Sequence, residues 1–83
     1  MENNSLFTEF AERFASASLT SLVESFNAQV GNRGWSSARA VHDQALMEEL
    51  VKRGVDVSAV YDGQSISFAH TVVIKDNRLT AAE

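Results

Sequence analysis

Up to Gly54 the apolar residues of this chain recur every three or four positions; after it they fall at alternate positions. The two patterns are not interchangeable, because side chains repeat about every 3.6 residues on a helix and every 2 on a strand. The chain therefore reads as α+β, with two or three N-terminal helices packed on a C-terminal antiparallel β-hairpin or three-stranded meander. Its 83 residues suit one domain over 1–83 and not two. Cysteine is absent, so disulfides and thiolate metal sites are excluded and hydrophobic packing is the staple.

Proline is also absent, and four glycines at 31, 34, 54 and 63 punctuate the chain. Phe7, Phe10 and Phe14 form one helical stripe, and Leu19, Leu22, Val23, Phe26 and Val30 form another. At ~100° per residue the two stripes are out of phase by roughly 140°. One straight helix cannot turn both toward a single core, so a break is expected at Ser16-Ala17-Ser18. Helix 1 is expected over about Ser5–Ala15, and helix 2 starts between Ser18 and Ser21, where Ser21 and Glu24 fit a capping box. The rival is a single long helix with one stripe facing a partner. Gly31-Asn32-Arg33-Gly34 closes this region, Trp35 reads as a packing anchor, and Ser36 or Ser37 caps helix 3. Helix 3 runs to about Arg53 with pairs Arg39–Asp43, Glu48–Lys52 and Glu49–Arg53. Gly54 stops it, and a positive φ is expected there. The broad apolar arc of helix 3 marks it as central.

In the last segment Asp62-Gly63 between alternating apolar residues signals a tight hairpin. A two-residue loop pairs Tyr61 with Gln64, Ala59 with Ile66, Val57 with Phe68 and Val55 with His70. That register sorts apolar from polar side chains onto two faces. A second turn at Asp76-Asn77 joins Lys75 to Arg78 and Ile74 to Leu79, with a third strand over roughly Arg78–Ala81.

The net charge is −4, concentrated in residues 1–30, and the seven basic residues are scattered. Nucleic-acid binding needs clustered cations, so it is not expected. No apolar run reaches membrane-spanning length, and the start Met1-Glu2-Asn3-Asn4 lacks a secretory pattern, which sets a cytoplasmic location as the expectation.

His42 has no Asp, Glu or His three or four residues away, and its neighbour Asp43 points about 100° aside on a helix, so the two are not expected to cooperate. His70 falls on the apolar face of the expected middle strand. Neither supports a metal site, and no cofactor motif is present. The loop leading into helix 3 offers a weak anion site built from Arg33, Ser36, Ser37 and Arg39, since free amides and the helix dipole favour negative charge there. It lacks the phosphate-loop pattern, and a plain helix connection is the simpler reading. Phe7, Phe10 and Phe14 serve either the chain's own core or a partner surface.

The function expected is that of a small protein-interaction module without catalytic activity, self-associating as a homodimer or docking on a protein partner through Phe7, Phe10 and Phe14. The alternatives are a small enzyme or phosphate-binding domain using the Gly31–Ser37 loop, and a small acidic inhibitor or accessory protein.

Overall fold

A computed structural model describes residues 2–32, 34 and 36–82, with residues 2–5 traced by backbone alone. Three helices precede one antiparallel hairpin: α1 (Glu2–Ala15), α2 (Leu19–Asn27), α3 (Ser37–Lys52), β1 (Val72–Lys75) and β2 (Arg78–Ala81). The order of helices followed by a hairpin is the one the change of period implies. The expected packing anchor Trp35 and the loop residue Arg33 lie outside the described residues.

The break between α1 and α2 falls at Ser16–Ser18. Ser18 is the N-cap of α2, its hydroxyl accepting from the Ser21 amide at 3.1 Å. The start is thus Ser18 rather than a box at Ser21. Ser36 caps α3 in the same way, accepting from the Arg39 amide at 3.1 Å. Gly54 follows the C-cap Arg53 with φ +84°, the left-handed conformation expected of it.

α3 is the central helix. α1 packs on one side of it, and α2 packs on another while also meeting β1. Leu22 and Phe26 of α2, Leu46, Met47 and Leu50 of α3, and Val72 and Leu79 of the hairpin are all fully buried and form the core. Val55 and Val57 close its lower edge.

The hairpin turns at Asp76-Asn77, both with positive φ (53° and 65°), and pairs Lys75 with Arg78 and Ile74 with Leu79. That is the turn type whose twist suits a two-residue loop, and the register is the expected one.

The first expected hairpin does not form, and with it the three-stranded meander is not seen among the described residues. Tyr61 bridges Ile66 instead of Gln64. Two aspartates account for the difference. Asp62 accepts from the amides of Gln64 and Ser65 at 2.9 and 2.8 Å, which widens the loop around Gly63. Asp56 takes the Ser58 amide at 2.9 Å, and the chain then turns at Val57–Tyr61 instead of extending. Short acidic side chains compete with a strand ladder in this way. The expected third strand, Arg78–Ala81, forms as β2, whereas what remains of the expected first strand is Asp56, whose amide donates to the Asn77 carbonyl and whose carbonyl accepts from Leu79, each at 2.9 Å. It lies on β2, in a parallel bridge to Arg78, not on a middle strand. His70 is consequently exposed in a bend, not on an apolar sheet face.

Candidate functional site

Three places bring polar or uncovered apolar groups together. The first is the seam between α1 and α3. Phe14 is a core residue, 4% exposed, while Phe7 and Phe10 are half-buried. The expected three-phenylalanine surface is therefore turned inward at Phe14, leaving only parts of Phe7 and Phe10 for a partner to reach. The physical reason is the fold-back at Ser16–Ser18, which lays the stripe on α3. Phe10 and Phe14 hold the His42 ring edge-on, with centroids 5.0 and 5.1 Å away. His42 does engage its neighbour after all: Nδ1 lies 3.0 Å from Asp43 Oδ1.

Asp43 is buried, and its second oxygen has no hydrogen-bond partner among the described residues; Arg39 Nε stands 3.6 Å from it. A histidine held by a carboxylate at Nδ1 is the arrangement that orients a general base. Here two phenyl rings flank the imidazole, whose side chain is 27% exposed.

The second place is the loop before α3. The Arg39 side chain turns back into it. Nε donates to Gln29 Oε1 at 2.8 Å, and the Nη groups donate to the carbonyls of Gln29 (3.3 Å), Asn32 (3.0 Å) and Gly34. Its plane also lies over Phe68, 5.3 Å from the ring centre. A guanidinium spent on carbonyls, beside buried Asp43, is poorly placed to draw an anion. Ser36 is occupied as a cap, Ser37 is exposed in the first turn of α3, and Arg33 falls outside the described residues.

The third place had no counterpart in the sequence reading. Leu19, Thr20, Val23, Val73 and Ile74 line a shallow groove of about 290 Å³ between α2 and the outer edge of β1. Val73 is 46% exposed there. Next to the tight turn Lys75 and Arg78 form the hydrogen-bonded pair, so by the antiparallel alternation Ile74 turns its amide and carbonyl away from β2. Val72, two residues back, does likewise, and its edge is held by Asn27, whose amide donates to the Val72 carbonyl at 3.0 Å and whose oxygen accepts from the Val72 amide at 2.8 Å. The alternation of Val72, Val73 and Ile74 was the available signal for an outward Val73. Alternation alone does not tell which face or edge of a strand another element covers.

Among the described residues no three His, Cys, Asp or Glu side chains converge as metal ligands, and no helix is long and apolar enough to cross a membrane. Compared with protein-family models, with curated proteins and with solved structures, the chain matches none.

Proposed function

We propose that the chain is a small cytoplasmic protein-interaction module that catalyses no reaction of its own and associates through the outer edge of β1. The supporting observation is Val73, an apolar side chain 46% exposed beside the Leu19–Val23–Ile74 groove on a strand edge. Sheet edges of this kind are usually blunted or covered, because unpaired backbone groups next to apolar side chains recruit other chains. An extended segment laid along β1 meets the Ile74 amide and carbonyl and sends an alternate side chain into the groove. Asn27 limits the contact to a few residues by occupying the Val72 edge. A second copy is the simplest occupant, since a two-fold axis lets one edge serve both chains.

Sedimentation velocity over a range of concentrations tests this reading. The expected result is a mass that rises with concentration, falls again at once on dilution, and stays at one chain in Val73→Asp with an unchanged circular dichroism spectrum. A native protein that remains one chain at the highest soluble concentration, with β1 amide shifts unmoved, removes self-association.

A further inference from the structure

The joint between α1 and α2 is Ser16-Ala17-Ser18, with no glycine or proline to forbid a helix. Side chains hold it open instead. In an uninterrupted helix the carbonyls of Phe14, Ala15 and Ala17 accept from the amides of Ser18, Leu19 and Ser21, four residues on. Here Arg53 Nη2 donates to those same three carbonyls, at 2.8, 3.4 and 2.7 Å. One of the three amides, that of Ser21, is taken by the Ser18 hydroxyl. Arg53 follows α3, so this latch exists only while α1 lies on α3.

The apolar phase adds a second constraint. If residues 2–27 ran as one helix with the Leu19, Leu22, Val23 and Phe26 stripe still in its core, the Phe7, Phe10 and Phe14 stripe would face roughly 140° away from it. A straight helix of this sequence therefore serves two cores, not one. The surface that α1 covers is made by α3 and its cap: His42, Ala45, Glu48, Glu49, Lys52 and Arg53. A second copy offers that same surface.

We propose that Ser16–Ser18 is an exchange hinge, and that two copies trade α1, each packing Phe7, Phe10 and Phe14 on the other's α3. The merged helix, about 39 Å long at 1.5 Å per residue, carries α1 clear of its own α3. Each chain gives and receives the same element, so the dimer closes with two-fold symmetry. The α1–α3 contacts are the same in both forms. What differs is the hinge, which exchanges the Arg53 and Ser18 contacts for helical hydrogen bonds. This inference uses a different surface from the β1 edge and does not depend on it.

The absence of cysteine makes the test direct. Ala11 of α1 and the exposed Glu48 of α3 line one cleft across the α1–α3 seam. An isotope-labelled Ala11→Cys chain and an unlabelled Glu48→Cys chain, both carrying Val73→Asp to silence the β1 edge, are unfolded together and refolded at high concentration. They are then diluted and treated with a short bis-maleimide, and the mixed-mass product is quantified. The exchange predicts a linked pair that survives dilution and is several-fold less abundant when the chains are refolded apart and mixed afterwards. Ser18→Ala, which removes the cap and favours helix, should raise the yield several-fold. Arg53→Ala should act in the same direction, and Ala17→Gly should lower it. Because Arg53→Ala also loosens α1, Ser18→Ala and Ala17→Gly decide the matter. A chain carrying both cysteines that links only within itself, with no mixed product in the Ser18→Ala background, overturns the proposal. So does a yield that ignores both hinge substitutions.

Discussion

Arg39 and Arg53 stand at opposite ends of α3, and each fastens a segment outside it. Arg39 binds the carbonyls that follow α2, and Arg53 binds those that end α1. Five donors in a planar fork suit a guanidinium to gather carbonyls left over at helix ends. Half of each arrangement was legible in the sequence, namely the partners four residues away. Arg53 does meet Glu49 at 2.7 Å, and Arg39 stands near Asp43. Glu48 instead accepts from Gln44 at 3.1 Å. The long-range halves have no signature, since nothing local records which carbonyls will arrive. Two exposed aspartates show the same limit. Asp56 is held below the ordinary carboxylate range by hydrogen bonds from Ser58, and Asp62 by the amides of Ser65 and Gln64. A folded-state pKa below the unfolded value of about 3.9 stabilises the fold above that pH and is lost as pH falls through the folded value. The Gln64 and Ser65 amide shifts should therefore titrate with a midpoint below about 3.9 and lose that transition in Asp62→Asn. A midpoint at or above it would mean that Asp62 does not hold the loop.

Among the elements, the hairpin owes its position to α2 as much as to its own turn. Asn27 mimics a neighbouring strand, donating to and accepting from Val72 as a backbone unit would. Phe26, the neighbouring residue of α2, packs its ring 4.7 Å from that of Phe68 in the segment that leads to β1. Truncating Asn27 to alanine leaves a largely buried strand amide and carbonyl without partners. The expected cost is about 1–3 kcal/mol in urea unfolding, with m unchanged. A change within error would mean that water replaces the clamp freely. The turn at Asp76-Asn77 was legible because two residues that tolerate positive φ sit between apolar alternations. Asp62-Gly63 carried a stronger signal of the same kind and formed a wider loop, because the Asp62 carboxylate captured the Gln64 amide, which a tight hairpin gives to the Tyr61 carbonyl, together with that of Ser65.

At the level of the whole molecule, protection should follow the packing. α3 is covered by α1 on one side and by α2 on another, whereas residues 56–70 are held by isolated bridges and a few side-chain bonds. Native-state hydrogen exchange should leave the amides of Ala45–Leu50 slowest, with those of the largely exposed Ser58–Ala69 segment exchanging much faster. Equal protection of the two would contradict this. The sequence alone determined the helical character of the region before Gly54, the stop at Gly54 with its positive φ, the centrality of α3 and the register of the last hairpin, while leaving α1 and α2 as two helices or one. Each depends on neighbours within about one or two turns of the chain, or on apolar phase. The path of residues 55–70, the inward turn of Phe14, the His42–Asp43 contact and the uncovered Val73 edge were decided by tertiary structure. In each, two locally acceptable arrangements compete, and contacts between residues far apart in the chain select one. The hinge at Ser16–Ser18 is the sharpest case: the apolar phase marks a break, but its backbone carries no breaker, and it is Arg53, thirty-five or more positions away, that occupies the carbonyls a continuous helix would use.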